Sequence, residues 1–177
     1  MNLWFISDTH FSHENILRFS KPDGTPLRWF HSAEEMDETM IERWNAVVRP
    51  QDHIYHLGDV ALNKPSMERI MPRLNGHKRL VRGNHDVFPT KFYLKWFKEI
   101  HGCRVLDNIV FSHIPIHSGS LGRFKGNAHG HLHANLVLHQ GFPVVGLPDT
   151  RYLNICVEQT HYHPVSLDFI KSRLEAQ

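Results

Sequence analysis

The sequence predicts an α/β layered fold. Short apolar runs recur along the chain, amphipathic helical patterns fall between them, and clusters of Gly, Asp, Asn and His follow several of the runs. Strands interleaved with helices favour layered α/β architecture, and polar clusters after strands mark the edge where such sheets collect ligands.

Leu3 to Ile6 reads as a buried strand. Ser32 opens a helix: its hydroxyl can cap, and Glu35 three residues on completes a capping box. Met36, Met40, Trp44, Val47 and Val48 then share one face, and Pro50 closes the segment. Ile54 to Leu57 forms the second strand. A short helix over Ser66 to Ile70 follows, disturbed by Pro72, and Leu80-Val81 is the third strand. Thr90 to Lys98 reads as helix, with Phe92, Leu94, Trp96 and Phe97 as its apolar surface. Val105-Leu106, Ile109 to Phe111 and Tyr152 to Val157 read as strands. Ser166 to Leu174 forms a last helix with Leu167, Ile170 and Leu174 at i, i+3 and i+7.

The 177 residues suit one domain, spanning 1–177, with a core of its own. A net charge of +2 is too mild to point to a nucleic-acid or membrane partner. No apolar stretch reaches membrane-spanning length. The N-terminus lacks the basic region and long apolar core of a signal peptide. Cys103 and Cys156 have no CxxC spacing, so a reduced, cytoplasmic setting is expected. Histidine is the outlier: 16 residues, nearly as many as the 18 acids, and several sit just after strands. Imidazole is the commonest metal ligand and the usual acid or base near neutrality.

Five polar groups stand out. Asp8 and His10 follow the first strand, Gly58-Asp59 the second, and Gly83-Asn84-His85-Asp86 the third. Ser112-His113 follows a fourth, and Gly130-His131-Leu132-His133 comes later. Two Asp, one Asn and four His make an oxygen and nitrogen donor set without thiolate. Such a set suits Mn, Fe, Zn, Co or Ni better than a sulfur cluster or a calcium cage. Seven donors exceed the need of one ion with an open position and suit two ions sharing a carboxylate. A pair of ions can activate water and clamp both oxygens of an in-line phosphoryl displacement.

The ordered motifs D-x-H, G-D, G-N-H-[DE], H and G-H-x-H resemble those of the calcineurin-like metallophosphoesterase superfamily, and they cover Asp8 to His133. The resemblance implies a four-layer α/β/β/α sandwich of two mixed sheets flanked by helices. It implies one ion on Asp8, His10, Asp59 and His133, and a second on Asp59, Asn84, His113 and His131. The catalytic residues it implies are His85, facing the substrate, and Asp86, orienting His85. The cofactors are two divalent transition-metal ions, manganese first, with Fe, Zn, Ni or Co as alternatives. The implied reaction is hydrolysis of a phosphate ester by in-line attack of a bridging hydroxide. A phosphodiester of nucleotide or cyclic-nucleotide type is preferred to a monoester.

Departures narrow the substrate. The second motif continues Val60-Ala61-Leu62-Asn63, without the Asp-Arg-Gly of protein phosphatases, and the third ends in Asp86, not Glu. The resemblance is therefore to the small bacterial, archaeal or phage enzymes, with a small phosphate ester as partner and no stable nucleic-acid complex. Phe11 to Ile16 lies outside the general pattern. A non-catalytic scaffold would show eroded ligands, whereas all are present. A nuclease would need a basic stripe or aromatic platform, for which only scattered candidates exist. Asn84 and Arg123 are candidate substrate contacts, Arg123 from a Gly/Ser-rich loop beginning at Ser118. Lys21 to Phe30 is a candidate lid in which Arg28, Trp29 and Phe30 could meet a leaving group. His13, His56, His117 and His129 lie near the motifs, where support of the ligands competes with ordinary packing.

Overall fold

The computed structural model describes residues 1–140 and 145–175. Its strands are β1 (Leu3–Ile6), β2 (His53–His56), β3 (His77–Val81), β4 (Ile100–His101), β5 (Cys103–Leu106), β6 (Ile109–Ser112), β7 (Gly126–His129), β8 (Tyr152–Asn154) and β9 (Val165–Ser166). The helices are α1 (Ala33–Val47), α2 (Lys64–Ile70), α3 (Thr90–Tyr93), α4 (Ser118–Leu121) and α5 (Leu167–Glu175), with 3-10 turns at Glu14–Arg18 and Met71–Arg73. One sheet has the order β4-β3-β2-β1-β9, with β1 to β4 parallel and β9 antiparallel. The other has the order β5-β6-β7-β8, with β5 antiparallel to β6 and the rest parallel. The architecture is the expected α/β arrangement of two mixed sheets with helices.

Side-chain alternation along each strand divides the interior into two cores. Ile6, Ile54 and Leu80 face α1 and α2, where Met36, Met40, Trp44, Met67 and Ile70 close over them. Their sequence neighbours Phe5, Tyr55 and Val81 face the second sheet, meeting Ile109, Phe111 and Ala128. The Phe5 ring stacks on Phe111 with centroids 4.2 Å apart and on Tyr55 at 5.6 Å. Ile170 and Leu174 of α5 complete this second core. No helix among the described residues is long and apolar enough to cross a membrane.

Several boundaries differ from expectation. Ser32 caps α1 by accepting from the Glu35 amide at 3.1 Å, but the Glu35 carboxylate turns to the His31 amide, not to that of Ser32. Asn63 caps α2, which therefore starts at Lys64, before Ser66. The helix expected over Thr90 to Lys98 stops after Tyr93. Trp96 and Phe97 both donate to the Tyr93 carbonyl, and the chain turns into β4 beside β3. The strand expected over Tyr152 to Val157 ends at Asn154, whose side chain accepts from the Cys156 amide, and Cys156 then bridges to Ser7. β7, β9 and the turn at Glu14–Arg18 carry too little apolar pattern to be seen in sequence. β7 reads Gly-Asn-Ala-His, and all four residues are buried by their neighbours.

Replacing Phe5 by Ala removes the ring at the centre of the inter-sheet core. We expect a loss of about 3–5 kcal/mol in urea unfolding, with little change in the slope against denaturant.

Candidate metal centre

Parallel pairing puts the ends of β1, β2 and β3 at one edge of the first sheet, and the ends of β6 and β7 at one edge of the second. The loops leaving these ends are laced together. The Asp8 amide donates to the Gly58 carbonyl and the His10 amide to that of Asp59, both at 3.0 Å, and the Gly130 amide donates to His113 at 2.9 Å. Close approach demands glycine here. A Cβ on Gly83 would collide with the Asp59 carboxylate and amide, and one on Gly130 with Ser7 and the Asp8 carboxylate.

Asp8 is fully buried, and its two oxygens have different surroundings. Oδ2 accepts from Ser7 Oγ at 2.5 Å, the His131 amide at 2.9 Å and Cys156 Sγ at 3.2 Å. Oδ1 has no hydrogen-bond partner among the described residues, and neither has either ring nitrogen of buried His10. Asp8 Oδ1 stands 3.8 Å from His10 Nε2 and 3.9 Å from His133 Nε2. Asp59 Oδ2 lies between two histidines, 3.6 Å from His10 Nε2 and 3.4 Å from His113 Nε2. Asn84 Oδ1 is 2.8 Å from His113 Nε2 and 2.9 Å from His131 Nδ1. All seven residues expected as ligands therefore converge. Two sets, Asp8-His10-His133 and Asp8-Asp59-His113, have their donor atoms within 4.8 Å of one another. Asp8 joins both sets, a sharing that the family pattern gave to Asp59 alone.

Buried donors without partners are costly. Here they form a compact O/N cage, which is the chemistry a divalent transition ion takes. The surrounding shell aims the rings. His113 Nδ1 is fixed on the Leu57 carbonyl at 2.8 Å and His133 Nδ1 on Glu158 Oε1 at 3.0 Å, which leaves both Nε2 atoms facing inward. Orientation of a ligating imidazole by its second nitrogen is a common device of metal sites.

Electrostatics agree with this arrangement. Burial, then the Arg28 charge, lowers the His10 pKa to about 2, so its ring stays neutral. Burial alone would raise the Asp59 carboxyl, but His113, the His85 amide and His10 outweigh it and hold it at about 2. Burial would likewise raise Glu158, yet Arg28 and His133 bring it to about 2. Burial opposes protonation of His113 and His133, but Asp59 with Asp8 in one case, and Glu158 with Asp8 in the other, raise their pKa values.

His85 is exposed at the rim. Its amide donates to Asp59 Oδ1 at 2.8 Å, and its ring stands edge-on to His10 with centroids 5.6 Å apart. Three expectations need correction. Asp86 bears on His85 through the backbone and not through its ring: its carboxylate accepts from the amides of Asp59, Val60 and Gly83 at 2.8–3.2 Å and so staples two of the loops together. Arg28 contacts no leaving group: it is 1% exposed and bonds Glu158 and the carbonyls of Asp8 and Thr9. Arg123 precedes β7 and its carbonyl accepts from Asn108 at the opposite end of the second sheet, so it lies roughly 13 Å of strand from the cluster. The loop proposed to carry it is helical at Ser118–Leu121.

Glu158 and Cys156 were not singled out from the sequence. Glu158 directly follows the strand read over Tyr152 to Val157, so the rule that found other candidate donors, polar groups after an apolar strand, would have found it too; Cys156 lies inside that reading and gave no such signal. His56, whose ring meets Thr9 Oγ1 at 2.9 Å and the Gly58 amide at 3.1 Å, does support the loops. His129 is buried behind them with Nδ1 on the Gly130 carbonyl.

The family model described as calcineurin-like phosphoesterase matches residues 1–172. The uncharacterized protein MJ1445 of Methanocaldococcus jannaschii is 36% identical over 176 residues, which are 98% of this chain and 91% of the relative. The Gene 66 protein of Mycobacterium phage L5 is 28% identical over 151 residues, 82% of this chain and 65% of that protein. The crystal structure of the protein of unknown function AQ665 from Aquifex aeolicus superposes with a TM-score of 0.70 at 25% identity, covering 97% of this chain and 98% of that one.

Two outcomes follow from the buried shell. Glu158→Gln keeps the hydrogen-bonding shape beside His133 but removes the charge, and Mn²⁺ affinity should fall about 10–100-fold in equilibrium dialysis. In the metal-free protein, His10, His56 and His129 have folded pKa values lowered to about 2, 3 and 4. Each stays neutral when folded and takes up a proton on unfolding once the pH drops below about 6.5. Their stabilising effect is complete above that pH and is lost as pH falls, at about 1.4 kcal/mol per pH unit for each histidine. Urea unfolding of the metal-free protein between pH 7 and 4.5 checks the sign.

Proposed function

The chain belongs to the calcineurin-like phosphoesterase family, and on that premise we propose that it is a metal-dependent phosphodiesterase whose centre holds two divalent ions. The observation that carries this reading is the set of unpartnered buried donors, Asp8 Oδ1 and both His10 nitrogens, around the carboxylate of Asp59.

Asp8, His10, His133 and Asp59 would hold one ion, and Asp59, Asn84, His113 and His131 the other. Such ions lower the pKa of water and neutralise charge on a phosphate. The protein supplies the rest. Asp59, held anionic, stands between His10 and His113 and keeps the two halves of the cage in register. Asn84 contributes an oxygen without adding negative charge, which favours an anionic substrate. Asp86 fixes the backbone of two loops, so that His85 projects its ring over the rim. From there His85 can give a proton or hydrogen bond to the departing ester oxygen.

The arginines beside the loops support a diester over a monoester. Arg28 is committed to Glu158 and backbone carbonyls, and Arg82 to the carbonyls of Asp86 and Phe88. A monoester dianion gains more from a free guanidinium fork than a diester monoanion does, and neither of these residues offers one.

The test is a panel of bis-p-nitrophenyl phosphate, p-nitrophenyl phosphate, cyclic nucleotides and oligonucleotides, assayed after metal stripping and Mn²⁺ return. Diester hydrolysis that depends on the metal is expected. Hydrolysis of monoesters alone would overturn the diester reading, and turnover of nothing would overturn the enzyme. Asp59→Asn should abolish turnover and weaken metal occupancy. His85→Ala should retain both ions by elemental analysis and lose about 10²–10⁴ in kcat; full activity at saturating Mn²⁺ would refute its role.

A further inference from the structure

The segment Phe11 to Phe30 supplies no donor atom to the cage just described, yet it is anchored beside it through Arg28 and Ser12. Ser12 adopts φ 60°, a left-handed conformation unfavourable for most side chains. It is held there by fully buried Asp37, which accepts from the Ser12 amide at 2.7 Å and the hydroxyl at 2.8 Å, and Arg69 binds both partners. This brace sets the next residue, His13, against the centre. The His13 ring stands 5.6 Å from that of His10. Phe19 then meets His13 edge-on at 6.1 Å. The rings of His85, His10, His13 and Phe19 thus form a continuous ledge from the centre outward.

The outer end of the ledge is open and fixed. Phe19 is 50% exposed although it is a large apolar residue. Its carbonyl accepts from the Leu27 amide at 2.8 Å, and Ser20 bridges to Pro26, so Phe19 sits at the base of a hairpin. The residue after Leu27 is Arg28, which bonds the carbonyls of Asp8 and Thr9 and the Glu158 that holds His133. The position of Phe19 is therefore tied to the same side chains that shape the cage.

An exposed aromatic ring held at a fixed reach from a phosphate site suits a flat substituent on that phosphate. We propose that Phe19, with His13 behind it, is the platform on which an aromatic ester group of the substrate stacks, which makes nucleoside phosphates the substrate class. The proposal rests on the phosphoesterase reading and selects among its substrates. Base stacking on an aromatic side chain tolerates any base, so the platform confers preference for a nucleoside without choosing which one.

The experiment compares adenosine 5′-monophosphate with methyl phosphate, titrated calorimetrically into the full Mn²⁺-loaded chain. The wild-type protein should bind the nucleotide about 5–100-fold more tightly than methyl phosphate. Phe19→Leu, which keeps apolar bulk and removes the ring, should erase most of that ratio and leave methyl phosphate binding unchanged. Phe19→Trp should restore it. A wild-type ratio near one, or an unchanged ratio in Phe19→Leu, overturns the platform. Hydrolysis of thymidine 5′-p-nitrophenyl phosphate and methyl p-nitrophenyl phosphate by the wild type separates the two levels of inference. If neither ester is cleaved, the phosphoesterase reading fails, while the binding ratio still decides whether the platform exists.

Discussion

The division of labour between the two oxygens of Asp8 is the constraint on which the site depends. Three donors from three places in the chain, Ser7, His131 and Cys156, converge on Oδ2. That leaves Oδ1 bare beside His10 and His133. The same contacts join the two sheets: Ser7 and Asp8 leave the first, while His131 and Cys156 follow strands of the second. The cage is therefore a seam, and it exists only when both sheets are in register. Arg28 reinforces the seam from beneath by binding the carbonyls of Asp8 and Thr9 together with Glu158. A buried Arg–Glu pair contributes little net stability compared with apolar packing, but losing one member would strand the other charge. Its value here is geometric, because Glu158 decides which nitrogen of His133 faces inward.

The site also concentrates backbone strain. Asp8, His10, Asp59, His131 and His133 all have φ between 47° and 69°. Left-handed residues of this kind cost roughly 1–3 kcal/mol each and persist only where surrounding structure over-determines them. The loops that carry them are short, laced by amide-to-carbonyl bonds and packed on glycines. At Asp8 and His10 strain and unpartnered buried atoms coincide, which is the pattern of a site shaped for something other than its own stability. The two cores beneath provide what offsets it, each built from one face of the same three parallel strands.

Much of the chemistry was legible in sequence because it depends on residue type and order. Asp8, His10, Asp59, Asn84 and His113 were found as polar groups after strands, and His131 and His133 from the motif order; the structure draws all seven together. The residues misjudged were those whose role depends on direction. Asp86 could have turned its carboxylate to His85 but turned it to three amides, because a tight turn closes on itself. In a linear reading Arg28 was a candidate contact to the leaving group and Arg123 a candidate contact to the substrate. One proved to be buried under the centre and the other to stand at the far end of a strand. The boundaries of α3 and β8 moved because turn contacts at Tyr93 and Asn154 outweighed local pattern.

Alone, the amino-acid order determined the layered α/β class, the major strands and helices, and the set of Asp, Asn and His side chains that the structure gathers. Period-2 and period-3.6 apolar spacing and the coordination chemistry of each side chain are local properties, carried by the chain in any conformation. Tertiary structure decided that Asp8 lies within reach of both candidate donor groups, that Glu158 and Arg28 fix the ring and loops around them, and that Phe19 stands open at the end of a ring ledge. Those facts arise from distances between residues far apart in sequence. They are set by how two sheets pack face to face across Phe5 and Phe111, and no local pattern encodes them.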